Sequence, residues 1–414
     1  MPKRPIHCYA ASFGHDLAKE LIAVHAAPGD TVLDCFTGSG TTLIEALSAG
    51  HAAIGMDVDP VAILISKVQT QKYTEKWLTT FMHETLAQLV VLEKEITTAV
   101  PNLRFLQKGT SFGVNGYIAM IPDRPEIDFW FSASQRAILA GLTAFAQDIR
   151  DHRKRSIMRV AISSAIVRKW PNTLSRAMDI DHSRPHRGNP ERTTIAQQFK
   201  LFRRVFTDVL NGLKAMVPTM QNWDHSAEVI EGDCVGSIGT LPPNSVGLVL
   251  TSPPYVDAID YPRAHKFSEW WLNPLGERCK RENYIGLRRL GNKDTVIADA
   301  REIAPETMRN LIWLERNSPA KYRLVCRYVL DMAEVIFGCR RALRDDGKLV
   351  FVLADNKIEG RTVPVVSITK ELLVGMGFHA VASVRRRIKN GRRRYPFGFS
   401  GVMKSEAIIT AARM

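Results

Sequence analysis

Residues 31–41 read TVLDCFTGSGT. Thr31–Asp34, with Val32-Leu33 at its centre, is a short run of strand length. Two glycines in three residues then make a tight turn, and Thr41–Ala49 follows as a run of good helix formers that Gly50 ends. Ala52–Met56 is a second apolar strand, closing on Asp57. Strand, glycine turn, helix, strand is the repeating unit of a doubly wound parallel sheet. Upstream, Asp16–Val24 has helical apolar spacing and is set off from the first strand by the turn Pro28-Gly29-Asp30.

The turn has a chemistry as well as a shape. Glycines at a helix N-terminus leave backbone N–H groups exposed and let a ligand approach closely. The stretch lacks the GK[ST] ending of a triphosphate loop. Asp34 ends the first strand, where it can meet an ammonium group. Asp57 ends the second, where it can take two ribose hydroxyls. Adenosine with an amino-acid tail fits this layout, which points to S-adenosyl-L-methionine. Phe36, Gly38, Ser39, Gly40 and Thr41 are candidate cofactor contacts, although a glycine turn by itself is common to many doubly wound proteins.

Beyond residue 71 the rhythm changes. Apolar spacing predicts long helices over Trp77–Val100, Ala133–Ile149, Ile157–Val167 and Thr194–Met216, with a polar stretch at Asn172–Arg192. Strand signals return at Glu228–Glu231, which runs into Gly232-Asp233, and at Gly247–Thr251. Helices are predicted over Met332–Leu343 and Val366–Met376, with a core strand at Lys348–Leu353. The expected organisation is an α/β, doubly wound, Rossmann-like sheet interrupted by a mostly helical insertion. Its parts are 1–70, 71–226 as the insertion, and 227–414.

The strand Gly247–Thr251 runs into Ser252-Pro253-Pro254-Tyr255. Consecutive prolines fix the backbone and remove two N–H donors, leaving carbonyl acceptors. Ser252 Oγ and the Pro253 carbonyl can then accept hydrogen bonds from an amino group, while Tyr255 offers a flat face to a base. An exocyclic amine is a poor nucleophile because its lone pair is delocalised. Two acceptors on its hydrogens favour a pyramidal nitrogen with that pair free. A rigid strand-to-loop turn is the plainer reading of two prolines. It is less apt for SPPY at the carboxyl end of a sheet strand, where such folds place ligands.

FTGSG together with TSPPY resembles the amino-methyltransferases of bacterial DNA modification, the N4-cytosine and N6-adenine family. His7-Cys8-Tyr9 through Phe13 looks like the family's N-terminal cofactor motif, so the resemblance adds Tyr9 and Phe13 to the cofactor contacts. Gly55–Pro60 (GMDVDP) looks like its ribose-binding strand end, and Gly232-Asp233 like the strand end that faces adenine, which adds Asp233. Ala258–Leu272 resembles the segment after the catalytic loop in some members. The likeness covers about 1–70 and 227–400, in an alpha-like motif order. The helical insertion, however, precedes Gly232-Asp233 rather than the catalytic loop, so both 71–226 and the basic loop 276–293 are candidates for target recognition. The resemblance implies methyl transfer from S-adenosyl-L-methionine to a base flipped out of duplex DNA, with Ser252, Pro253, Pro254 and Tyr255 catalytic. Serine before the prolines leans toward N4 of cytosine, with N6 of adenine as the alternative. A cognate restriction endonuclease is a candidate partner.

Composition agrees with a nucleic-acid substrate. The 414 residues carry a formal net charge of +14, which favours a polyanionic partner. The charge is clustered at Arg150–Arg155 (RDHRKR), Arg184–Arg192, Lys280–Arg289 and Arg385–Arg394 (RRRIKNGRRR). Candidate DNA contacts are Arg153, Arg155, Arg187, Arg263, Lys266, Arg288, Arg289, Arg386 and Arg393. A solvated basic surface is the bland reading of the same clusters. No run of about 18 apolar residues suggests a membrane span, and the N-terminus lacks a signal-peptide pattern, so a cytoplasmic, nucleoid-associated role is expected. The six scattered cysteines form no CxxC pair and are expected to be reduced and mostly buried, with no metal site. No Pro-Cys pair exists for C5-cytosine chemistry. RNA amino-methylation and a non-catalytic DNA-binding role are the other readings. His7, Asp260 and His265 do not by themselves argue for acid–base work; Asp260, His265 and Lys266 are expected to be loop residues that support the catalytic loop or contact DNA, and Trp270 and Trp271 to be core.

Overall fold

The computed structural model describes residues 6–9, 14–100, 106–114, 116–168, 171–177, 193–257, 260–273, 275, 283–287, 293–387 and 405–413. They form two compact units. One comprises 1–10, 67–222 and 261–278; the other comprises 11–66, 223–260 and 279–414. Residues 261–278, read from sequence as part of the second sheet segment, cluster with the insertion instead.

The described strands are β1 (Thr31–Asp34), β2 (Ala52–Asp57), β3 (Ser111–Val114), β4 (Tyr117–Met120), β5 (Ala227–Glu231), β6 (Val246–Thr251), β7 (Leu343–Leu353), β8 (Asn356–Ile358), β9 (Arg361–Val363), β10 (His379–Arg387) and β11 (Ser405–Ala412). Seven of them make the main sheet, in the order β10-β11-β7-β6-β1-β2-β5. β7, β6, β1, β2 and β5 run parallel, and β11 enters antiparallel between β7 and β10.

The parallel strands are apolar because both faces are covered. Period-2 alternation sends Val32, Leu248, Leu250, Val350 and Val352 to one face, where Leu17, Leu21 and Ile22 of helix His15–His25 and Leu43 of helix Thr41–Ser48 pack. It sends Leu33, Val249, Leu349 and Phe351 to the other, against helices Pro319–Ala342 and Val365–Gly375. β6 is buried along its whole length. Gly247 is required there, since a Cβ would lie 2.1 Å from the Asp30 carboxyl carbon, and Asp30 is itself held by Arg344 at 2.6 Å.

The sheet thus has the expected doubly wound character, with two differences at its far end. The long helix begins at Pro319, thirteen residues before the predicted Met332, because Ser318-Pro319 supplies a proline at its first turn. β10 and β11 were not anticipated. β10 is a solvent-exposed edge whose apolar alternation is broken by Arg385-Arg386-Arg387, and charged edges of this kind resist unwanted strand pairing.

The other unit packs helices Glu75–Ala99, Ala133–Asp148, His152–Val167, Ile195–Gln221 and Tyr261–Leu272 with the β3–β4 hairpin. Four of the starts are encoded locally. Thr74 Oγ1 accepts from Trp77 N–H at 3.2 Å. Ser132 with Gln135 and Thr194 with Gln197 form capping boxes, and Asp151 accepts hydrogen bonds from the N–H groups of Arg153 and Lys154. The Asp151 cap moves the helix start from the predicted Ile157 to His152, so the basic run 152–155 is a first helical turn. His265 and Lys266 lie on helix Tyr261–Leu272 rather than in a loop, with Trp270 and Trp271 4% and 0% exposed, as core residues should be. Among the described residues no helix is long and apolar enough to cross a membrane.

Candidate active site at the carboxyl edge of the sheet

β6, β1, β2 and β5 are adjacent and parallel, so their C-terminal ends lie on one edge. The strand order reverses between β1 and β6, and such switch points open a crevice for ligands. Asp34, Asp57, Gly232-Asp233 and Ser252 are all brought to this edge.

The glycine turn is built by backbone bonds. Thr37 N–H donates to Met56 O at 2.9 Å and Gly40 N–H to Thr37 O at 2.8 Å. Gly38 N–H donates to Asp57 Oδ2 at 2.8 Å, and Ser66 Oγ donates to Gly38 O at 2.8 Å. Gly38 and Gly40 sit at φ +51° and +85°, the left-handed region that favours glycine. A Cβ on Gly40 would stand 3.1 Å from Ser66 Oγ. Thr37 Oγ1 is buried without a hydrogen-bond partner. Phe36, Ser39 and Thr41 flank the turn, with Phe36 half-buried against the core and Thr41 buried at the helix start.

Both carboxylates are unusual. Asp34 Oδ1 accepts from Phe36 N–H at 3.1 Å and from Thr251 Oγ1 at 2.5 Å, yet burial lifts its pKa to about 6. Asp57 Oδ1 accepts from Asp59 N–H at 3.0 Å, and burial, followed by the neighbouring Asp59 charge, pushes Asp57 up to about 7. Asp59 was missed as a site-shaping residue, although Asp-Pro is a helix-start signal. Its Oδ1 caps the helix Pro60–Gln69 through Val61 N–H at 2.8 Å and Ala62 N–H at 3.3 Å.

This electrostatic strain has a measurable sign. A carboxyl whose folded pKa is raised binds its proton more tightly in the native state than in the unfolded one. It therefore costs stability as pH climbs from the unfolded value near 4 through the folded value near 7. The Tm of Asp57→Asn relative to the parent chain is thus expected to rise steadily between about pH 4 and pH 7 and to level off above. A difference that stays flat over that window, measured without cofactor, would show that Asp57 is not destabilised by its surroundings.

Asp233 follows β5 and caps the short helix Cys234–Ser237 through Val235 N–H at 3.2 Å, while Gly232 N–H donates to Asp57 O at 2.9 Å. Cys35, Cys234 and Cys339 are buried, with Cys35 Sγ 3.6 Å from Cys339 Sγ. Cys326 is also buried and Cys8 is exposed.

At the Ser252–Tyr255 loop, Ser252 and Pro254 are half-buried and Pro253 is buried. Tyr255 is 8% exposed and packs in the apolar cluster with Val256 and Ile285, so its ring is largely covered rather than open as a platform. Distant residues clamp the loop from behind. Lys321 Nζ reaches both oxygens of Asp257 at 2.7 and 2.6 Å, and Asn356 Nδ2 donates to Val256 O. A Cβ on Gly286 would lie 3.2 Å from Val256 Cα. Asp257 itself takes a left-handed φ of +54°. Lys321, Asn356 and Gly286 carry no local signal, because their partners lie far along the chain.

The other expected contacts are distributed as follows. Tyr9 lies in the helical unit, its ring 4.9 Å from that of His265. His7 there bonds Ser163 Oγ at 2.8 Å, and burial depresses its pKa to about 3, which suits a structural neutral imidazole. Lys266 is engaged by Glu126 at 3.0 Å and lies over the rings of Trp130, Phe267 and Trp270. Arg153 lies over Trp77 at 4.8 Å, Arg263 is exposed, and Arg386 is 3.9 Å from Glu406. Phe13, Arg187, Arg288, Arg289 and Arg393 lie outside the described residues.

Against this geometry, the N6/N4 methyltransferase family model, described as DNA methylase, matches residues 2–68. The chain is 22% identical over 403 residues to the Type II methyltransferase M.MvaI of Kocuria varians, covering 93% of this chain and 84% of that protein. It is 21% identical over 450 residues to the Type II methyltransferase M.BsoBI of Geobacillus stearothermophilus, covering 97% and 84%. A shorter match of 68 residues, 40% identical, is to the Type II methyltransferase M.MjaII of Methanocaldococcus jannaschii, covering 16% and 13%.

Proposed function

We propose, for a chain that resembles the DNA amino-methyltransferases in its motifs, in its family match and along most of its length, that it methylates N4 of cytosine in duplex DNA. The observation that carries the reading is the meeting of TSPPY with two carboxylate-bearing strand ends at one sheet edge. The residues there suit S-adenosyl-L-methionine: a glycine turn with left-handed φ values, an unpartnered buried Thr37 hydroxyl, and two carboxylates. Bound there, the group would supply a methyl carried on a sulfonium, an electrophile open to in-line displacement.

Each side chain then has a defined role. Asp57 keeps lone pairs beyond those taken by Gly38 and Asp59 N–H, enough to accept ribose hydroxyls. Asp34 would hold the ammonium end, and such a cation would also relieve the penalty of ionising it. Ser252 Oγ and the Pro253 carbonyl accept from the amino group of the target base, freeing its lone pair for attack. The alkylated nitrogen is strongly acidic, and the proton it must release passes to solvent water, since neither a serine hydroxyl nor a peptide carbonyl is basic enough to keep it. The base reaches Ser252 only after leaving the stack. The names of the relatives, Type II methyltransferases, support the DNA-modifying part of this reading; a cognate endonuclease and a cytoplasmic site of action are proposed with it.

Serine before the prolines supports cytosine over adenine. DNA from cells producing this chain, sequenced with a readout that separates 4-methylcytosine from 6-methyladenine, is expected to carry 4-methylcytosine within one short recurring sequence. Finding 6-methyladenine there would transfer the reading to N6 of adenine, and finding neither would end it.

A further inference from the structure

Helices Ala133–Asp148 and His152–Val167 enclose a pocket of about 220 Å³ within the helical unit. Thr143, Gln147, Arg155 and Arg159 are its polar lining, with Ile162 and Leu272 as apolar wall. Three observations make it a built site.

First, Thr143 is 6% exposed, and its Oγ1 has no hydrogen-bond partner. Ser48, Thr97, Thr98, Thr207 and Thr369 return their helical hydroxyls to the carbonyl four residues back, whereas Thr143, like the buried Thr42 and Ser164, does not. A buried hydroxyl that forgoes this bond is costly unless something else fills it. Second, the basic turn 152–155 is not uniform. Lys154 is paired with Glu84 at 3.0 Å, and Arg153 lies beside Asp151 and over Trp77. The Asp151 carboxylate is also committed to capping. Among the described residues Arg155 has no such carboxylate, and it faces the pocket. Third, Arg155 and Arg159 are four residues apart on one helix, so both guanidinium groups line the same pocket. Arg159 is steadied by Leu272 O at 3.4 Å.

We propose that this pocket seats one phosphate group of the DNA backbone. Arg155 and Arg159 supply the charge, and the Thr143 hydroxyl and Gln147 amide supply neutral donors. Water takes roughly 30 Å³ in the liquid, so the volume admits a phosphate with waters beside it. The proposal rests on the DNA reading above and adds where the strand is gripped.

The test measures duplex DNA affinity of the full chain over a salt series, with cofactor binding by calorimetry as the control for folding. Arg155→Gln is expected to weaken DNA binding about tenfold at low salt and to shallow the log–log salt slope by about 0.9. Thr143→Val, nearly isosteric, is expected to weaken binding without changing the slope, since it removes no charge. The double variant should lose less than the sum, because both groups hold one phosphate. Normal DNA affinity and slope in both single variants, with the parent chain binding and methylating DNA, would overturn the pocket and leave the methyltransferase reading intact. A parent chain that neither binds nor methylates DNA would overturn both. Inorganic phosphate that raises the Tm of the parent but not of Arg155→Gln, with DNA affinity unchanged by the substitution, would mark a free-anion site and also overturn the proposal.

Discussion

Single-turnover methylation by Ser252→Ala, with cofactor and DNA both saturating, is expected to run roughly ten to a hundred times slower than the parent chain. A hydrogen bond whose partner is gaining charge is worth about 1.5–3 kcal/mol, and each 1.36 kcal/mol is tenfold in rate. The loss should fall on kcat rather than KM, because the bond tightens only as the nitrogen pyramidalises. Cofactor affinity should be unchanged, since its proposed anchors, Asp34 and Asp57, end β1 and β2. Pro254→Ala should also slow the step, by loosening a backbone that Lys321 and Asn356 clamp from the following residues. Tyr255 needs a gentler probe than alanine. Its ring is 8% exposed in an apolar cluster, and truncating a buried aromatic costs about 3–5 kcal/mol of stability. Tyr255→Leu keeps most of the volume and removes the ring, so if the covered ring is uncovered for a flipped base, a fall in kcat with little change in Tm is expected. Parent-like single-turnover rates in both Ser252→Ala and Tyr255→Leu would reduce TSPPY to a structural turn.

Cofactor binding should be the property most sensitive to Asp57→Ala. Calorimetry with S-adenosyl-L-methionine is expected to show a loss of about 1.5–3 kcal/mol, or roughly tenfold to a hundredfold or more in affinity. Two causes act together. The ribose hydroxyls lose their acceptor, and Gly38 N–H loses the carboxylate that fixes the turn at 2.8 Å. Asp57→Asn separates them: it keeps one acceptor oxygen and removes the charge, so it should bind more tightly than Asp57→Ala and less tightly than the parent. Full affinity in Asp57→Ala would move the ribose site elsewhere on the edge.

Much of this protein is decided within short windows of its chain. Thr31–Asp34 is observed as β1 at its predicted limits, because four residues centred on Val32-Leu33 and bounded by a Pro-Gly-Asp turn and a glycine turn have few alternatives. The left-handed φ values of Gly38 and Gly40 follow from the same local constraint. Helix starts at Ser132 and Thr194 are legible because a capping box spans only four residues. TSPPY is legible because prolines impose their geometry unaided. Other features depend on partners that no local window contains. The Asp257–Lys321 clamp joins residues 64 apart, and β11 finds its place between β7 and β10 only through pairing with both. The closure of Tyr255 into the core and the elevated pKa values of Asp34 and Asp57 arise from burial, a property of the packed molecule. The Thr143–Arg155 pocket likewise exists only because two helices pack. Backbone geometry is short-ranged and can be read in sequence, whereas desolvation and long-range pairing are set when distant segments exclude water together.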